Sequence, residues 1–227
     1  MKNYNSKIEI GSDKMENSHI KRIFALMFGL MLYGLGVTLT IKGNIGYSPW
    51  DVFHAGVAKY IDTSIGNVSI LVGVAIGVLT IILGEKLGLG TVMNMIFIGV
   101  FINVFMPIIP TVGKGNFILG LFTVILGLFI VSFGSYFYIK SGYGAGPRDS
   151  LMVAIRRKTK LSVGLSRGIV EGTALLIGWL LGGLVGIGTA ISMFGISFCI
   201  QIVFSMLNFD PSEIEHENLA ETFKKLL

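Results

Sequence analysis

Six long charge-poor runs alternate with short polar turns along the chain: Ile23 to Ile41, Ile65 to Leu83, Val92 to Ile109, Phe117 to Ile139, Gly168 to Leu184 and Ile187 to Leu207. A spanning helix needs roughly 20 apolar residues to cross about 30 Å of hydrocarbon, so each run predicts a helix in lipid. None shows the polar-apolar alternation of a barrel strand. The predicted fold class is therefore an all-α polytopic membrane protein with about six transmembrane helices. Composition agrees: 52% hydrophobic residues, 14% charged residues and a mean hydropathy of +0.76 do not suit a water-soluble domain. The 31 glycines would weaken soluble helices, but small residues four apart let lipid-embedded helices approach closely. Gly73 and Gly77, Gly164, Gly168 and Gly172, and Gly178 and Gly182 predict packing faces of that kind.

The pattern repeats. Sliding the chain along itself by 98 positions places Ile139-Lys140 on Ile41-Lys42, Pro147 on Pro49 and Asp149 on Asp51. Ser162-x-Gly164 falls on Ser64-x-Gly66, and Gly186-x-Gly188-Thr189 on Gly88-x-Gly90-Thr91, without a gap. Apolar drift alone does not hold Lys, Pro and Asp in one register, so the unit from about Phe24 to Phe105 recurs from about Phe122 to Val203. Each unit reads as a long span, a Gly-rich turn, a short Pro-initiated half-helix, a second span, a Gly-Thr turn and a third span. The predicted division is a polar, disordered cytoplasmic tail over 1–20 without a secretory signal, membrane repeats over 21–112 and 113–208, and an acidic cytoplasmic tail over 209–227 around Glu213, Glu215 and Glu217.

Three crossings per unit is an odd number, so the second copy must enter from the opposite side, giving two three-helix inverted repeats. With both termini cytoplasmic, 15 of the 18 Lys and Arg residues fall inside and only Lys42, Lys59 and Lys114 outside. The basic run Arg156-Arg157-Lys158-Thr159-Lys160 is matched in the first unit by Ala58-Lys59-Tyr60-Ile61-Asp62, which has no net charge. A topology in which the short helices also cross would make the repeats parallel. Their length, about half a membrane, argues against it.

Candidate chemistry gathers at the short helices. Ser48-Pro49-Trp50-Asp51 sets a hydroxyl at the N-cap, proline at the first helical position and a carboxylate two residues on, and Gly146-Pro147-Arg148-Asp149 repeats it with glycine as cap. Two such half-helices dipping from opposite faces bring their positive ends toward one site. Capping alone also accounts for Pro and Asp at these positions. Polar side chains at symmetric depths, Asn94 with Ser192 and Asn103 with Gln201, complete the candidate substrate-binding set with Pro49, Trp50, Asp51, Pro147, Arg148 and Asp149. Arg167 and Glu171, one turn apart, predict a salt bridge. His54 predicts an interfacial side chain, and the Gly-Thr turns predict threonine as N-cap.

Cys199 is the sole cysteine and lies in the last run, which removes disulfides and paired redox chemistry. No zinc-binding, nucleophile-elbow or nucleotide-loop motif occurs, so no catalytic residue, metal or cofactor is expected, and the chain is not expected to be an enzyme. The net charge of +5 flanks the apolar runs rather than forming a nucleic-acid surface, so no nucleic-acid partner is expected.

The Gly-rich turn into Pro49 to Asp51, the run Gly146 to Met152 and the run Gly182 to Thr189 resemble the bacterial YczE/YyaS/YitT family of membrane proteins over roughly residues 22–207. That resemblance implies a bacterial plasma-membrane location and brings no substrate. The expected function is transport of a small solute or ion as a multi-pass protein in contact with the lipid bilayer. The alternative is an accessory or regulatory protein supporting a membrane-associated enzyme complex, docking through Arg156 to Lys160 and the acidic tail. Homo-oligomerisation stays open.

Overall fold

A computed structural model describes residues 2–214 and 216–226, and Glu215 of the acidic tail lies outside the described residues. In chain order the helices are α1 (Lys2–Lys42), α2 (Pro49–Tyr60), α3 (Ile65–Ile82), α4 (Leu89–Phe105), α5 (Phe117–Lys140), α6 (Pro147–Thr159), α7 (Val163–Leu180), α8 (Ile187–Met206) and α9 (Leu219–Leu226), with a 3₁₀ turn at Pro211–Glu213. Among the described residues there is no strand. Helical backbone in α1 begins at Lys2, upstream of its apolar segment, where the sequence predicted a disordered tail. Lys, Glu and Met in that stretch are good helix formers, and the turn they extend is already nucleated.

Four helical segments are long and apolar enough to cross a membrane: His19–Lys42, Ile65–Ile82, Phe117–Lys140 and Ile187–Met206. Leu89–Phe105 is a shorter apolar helix. α7 carries Arg167 and Glu171 and is not among them. The run expected at Gly168 to Leu184 is displaced to Val163–Leu180 because Ser162 caps the helix, accepting a bond from the Leu165 amide at 3.3 Å. Outside the bundle, large side chains such as Leu71, Ile82, Ile118, Phe122, Trp179, Phe194 and Phe198 are exposed, the surface a lipid-facing protein presents.

Helix starts at Pro49, Ile65 and Leu89 recur 98 residues later at Pro147, Val163 and Ile187. Left-handed backbone recurs too, with Gly46 and Gly144 at φ +120° and +115° and Asp62 and Lys160 at φ +50° and +59°. Such turns are local and follow directly from the repeated glycines and caps.

At the centre α1 and α5 cross in antiparallel fashion. A Cβ on Gly29 would lie 2.8 Å from the Gly134 carbonyl oxygen, one on Gly36 2.7 Å from that of Gly127, and one on Gly43 2.9 Å from that of Gly120. Residue number falls on one helix as it rises on the other. α4 flanks α1 and α8 flanks α5. The short helices then cross between units: α2 packs mainly on α7, and α6 packs on α3. Backbone bonds tie the exchange, since the Gly90 amide donates to the Tyr143 carbonyl at 2.6 Å and the Gly188 amide to the Ile45 carbonyl at 2.8 Å.

Two expectations are corrected at this level. Thr91 and Thr189 are not N-caps. Gly88 and Gly186 occupy that position, and each threonine hydroxyl reaches back from the third helical residue to accept the cap amide, at 3.2 and 3.1 Å. Gly73 and Gly77 do pack, against Met95, and Gly178 packs against Phe53, but Gly164, Gly168 and Gly172 have nothing within 4 Å. The reason is an asymmetry. α3 lies along α4, with Gly66 against Gly99 and the Asn103 amide donating to Asn67 Oδ1 at 2.8 Å, whereas the equivalent α7 and α8 scarcely touch.

The C-terminal segment straps one end of the bundle. Arg22 bonds the Ser141 carbonyl and Glu217, both at 2.8 Å. The amide of Glu217 donates to the Gly142 carbonyl at 2.8 Å and that of Leu219 to the Leu87 carbonyl at 3.0 Å.

Candidate functional site

The two Pro-initiated helices begin at one cavity of about 350 Å³, within the range of small-molecule sites. Ser48 to Asp51 and Gly146 to Asp149 line it from the two units, and α1, α3, α4, α5, α7 and α8 supply the rest of the wall. Each short helix starts there because proline fixes φ at its first position and the preceding Gly-rich turn frees the chain to reverse. Both helices therefore turn their amide-rich, positive ends toward the same space.

The first unit closes its carboxylate. Ser48 Oγ donates to Asp51 Oδ2 at 2.5 Å, the Asp51 amide returns a bond to Ser48 Oγ at 3.4 Å, and His54 Nδ1 stands 3.8 Å from Asp51 Oδ1. His54, expected as an interfacial side chain, is instead fully buried in the protein: α2 packs mainly on α7, and the ring lies near Trp50, Phe53 and Asp51 of its own helix.

In the second unit the carboxylate stays open. Gly146 has no hydroxyl to cap α6, and among the described residues the Asp149 carboxylate makes no hydrogen bond and no ion pair. The Asp149 side chain is exposed, and it forms part of the cavity wall. A side chain beginning at Gly146 would lie 3.2 Å from Asp149 Oδ2, 3.9 Å from Asn94 Nδ2 and 4.0 Å from the Tyr138 hydroxyl, which places these three groups around one small gap.

Arg148 and Trp50 occupy equivalent positions in the two units and touch, with the guanidinium carbon 4.6 Å from the ring centroid. A guanidinium over indole is held by the ring quadrupole and keeps its N–H groups free. Arg167 and Glu171 form the predicted bridge at 2.8 Å, and both line the cavity. The Trp50 Nε1, Tyr138 hydroxyl and Ser192 hydroxyl are buried without a hydrogen-bond partner. Buried donors normally find one, so these are groups a ligand or water would satisfy.

Of the residues singled out in the sequence, Pro49, Trp50, Asp51, Asn94, Pro147, Arg148, Asp149 and Ser192 line the cavity together. Asn103 and Gln201 do not. Asn103 bonds Asn67 on α3, and Gln201 is exposed. Each stands nine residues, two and a half turns, beyond its partner Asn94 or Ser192, which puts it on the opposite helix face. Tyr33, Ser69, Ser135 and Tyr138 were not anticipated. Tyr33 sits within electrostatic reach of Asp51, Arg148, Asp149 and Arg167, and its only sequence signal is a polar aromatic between Gly29 and Gly36.

Among the described residues no group of three or more His, Cys, Asp or Glu side chains could hold a metal ion. Cys199 is buried with a free thiol.

The family model described as "Family of unknown function (DUF6198)" matches residues 20–205. The chain is 37% identical over 166 residues to the uncharacterized membrane protein YczE of Bacillus subtilis, covering 72% of this chain and 76% of that one. It is 34% identical over 189 residues to an uncharacterized protein of Haemophilus influenzae, covering 82% and 85%, and 26% identical over 167 residues to the uncharacterized protein YyaS of Bacillus subtilis, covering 73% and 83%. No solved structure matches the chain.

Proposed function

The chain belongs to DUF6198, a family of unknown function, and from that premise we propose that it is a multi-pass transporter that moves a small solute or ion across a bacterial plasma membrane. The observation that carries the reading is the shared start of α2 and α6 at one charged cavity between the two units. Ionisable groups inside a helical membrane protein normally mark a substrate path, and half-helix ends at a repeat interface are a common substrate site of secondary transporters. We read α4 and α7 as crossings too, which makes six. α7 tolerates its two charges because they pair. The antiparallel α1 and α5 support placing the repeats in opposite senses, with both termini cytoplasmic.

The mechanism follows from the asymmetry between the units. α3 is closed on α4 while α7 stands away from α8. Two sequence-related halves in different conformations can exchange them, so that α7 closes on α8 as α3 leaves α4 and the cavity changes the side to which it opens. The accessory reading has less support, because Glu217 is tied to Arg22 and Arg157 to Glu85 and the Leu83 carbonyl within the chain.

Flux through liposomes containing the purified protein tests the proposal. Uptake of a solute or ion is expected, and Asp51→Asn with Asp149→Asn should abolish it at unchanged protein yield. Sealed vesicles that move nothing, or side-specific labelling that finds Asp62 and Arg157 on the same face, would overturn it.

A further inference from the structure

Resting on the transport reading, we propose that the solute is a small zwitterion carrying a carboxylate and an ammonium group, of the class of free α-amino acids with an apolar side chain. The case is a count of which charges in the cavity already have partners. Arg167 is bound to Glu171 at 2.8 Å, and Asp51 is held by the Ser48 hydroxyl at 2.5 Å with His54 beside it. Arg148 and Asp149 remain. They are neighbours on α6, but no ion pair within 4 Å joins them, and among the described residues neither side chain makes a hydrogen bond.

One free cation and one free anion in a largely apolar cavity ask for a ligand bearing both charges. A singly charged solute would satisfy one group and strip water from the other, and an uncompensated charge in such a place is strongly destabilising. A carboxylate fits against Arg148, whose guanidinium carbon stands 4.6 Å from the Trp50 ring centroid, and gains from the positive helix ends on either side. An ammonium fits against Asp149 in the gap left by Gly146, with the Tyr138 hydroxyl and the Asn94 amide at its edge. Ser192, 2% exposed with an unpartnered hydroxyl in the cavity wall, offers one further bond. Ile98, Leu128 and Met193 line the remainder and suit an apolar side chain.

The two copies of the motif differ in the way this site requires. The first has a cap hydroxyl that occupies its carboxylate, and the second has glycine there, which leaves Asp149 free to bind.

Thermal stabilisation of the purified full-length protein, measured with apolar L-amino acids and their single-charge analogues, decides the point, because a ligand of the native state raises its melting temperature. For L-valine the analogues are isobutylamine and 3-methylbutanoate. At least one amino acid should stabilise the protein, with apparent affinity tenfold or more above both of its analogues. Arg148→Gln should remove the advantage over the amine, and Asp149→Asn the advantage over the acid. Each leaves binding of the analogue that does not use the altered group, which a general loss of fold would not. Arg148→Lys should restore part of the preference. Should a variant fail to fold, the wild-type comparison alone decides. An analogue that binds as well as its amino acid, or a panel in which no amino acid shifts the melting temperature, overturns the proposal. Uptake of some other solute by vesicles would then preserve the transporter and lose the zwitterion. An amino acid that binds but never crosses would preserve the ligand class and lose the transporter.

Discussion

Gly178→Thr probes the exchange of conformations between the two units. Gly178 of α7 meets α2 so closely that a Cβ there would strike the backbone nitrogen and Cα of Phe53 and lie 2.5 Å from the Val52 carbonyl carbon. Backbone cannot swing aside as the end of a side chain can. The equivalent residue of α3 is Thr80, fully buried with its hydroxyl bonded to the Ile76 carbonyl at 2.7 Å, and the α6 equivalent of Gly56 is Ala154. The tight crossing is thus built from two glycines and the looser one from threonine and alanine. Overpacking costs about 1–3 kcal/mol, and a clash with backbone belongs in the upper part, about 2–3 kcal/mol. If α2 and α7 separate to the looser geometry in the opposite-facing state, the cost falls on one state only. Its population ratio then changes by about 30- to 150-fold. The assay is labelling of Asn94→Cys, in a Cys199→Ser background, by a membrane-impermeant thiol reagent applied to either side of the membrane. The rate should fall on one side and rise on the other by a factor of that order. A lower melting temperature with labelling unchanged on both sides would refute the exchange and leave Gly178 as a packing residue alone.

Ser48→Gly should lower the melting temperature, because the buried Asp51 carboxylate loses a charge-assisted bond worth about 1.5–3 kcal/mol. The reverse change, Gly146→Ser, should raise the melting temperature of the empty protein while weakening stabilisation by solute, since it gives a hydroxyl partner to the Asp149 carboxylate, whose Oδ2 lies 3.2 Å from where the side chain begins. Arg22→Ala should release the C-terminal strap and speed proteolysis after Phe209 by roughly tenfold or more, the equivalent of about 1.5–3 kcal/mol for the bonds to Glu217 and the Ser141 carbonyl. Asn103→Ala and Gln201→Ala should leave solute stabilisation unchanged, because both side chains lie outside the cavity.

What the sequence determined by itself is what local physics decides. Run length and the absence of charge predicted helices in lipid. Proline after Ser48 and after Gly146 set where α2 and α6 begin, and the 98-residue register foretold which helices have counterparts. The helix starts depend on residues within a turn of one another, and run length and register are read along the chain without any contact between helices. Of the candidate site, the two Pro-Asp motifs and the pair Asn94 and Ser192 were legible. The exclusion of Asn103 and Gln201 is legible too, from helical phase.

Only the tertiary structure decided the rest. That α2 lies mainly on α7, while α6 packs less closely on α3, depends on how near two backbones can come. That distance is set jointly by Gly56 and Gly178 against Ala154 and Thr80, more than 70 residues apart in each pair. The same holds for the two aspartates. Ser48 against Gly146 already distinguishes their caps in the chain, but that both aspartates face one cavity walled by distant helices is written nowhere in it. Charge pairing and burial are properties of what surrounds a side chain, and those surroundings exist only once the helices have met.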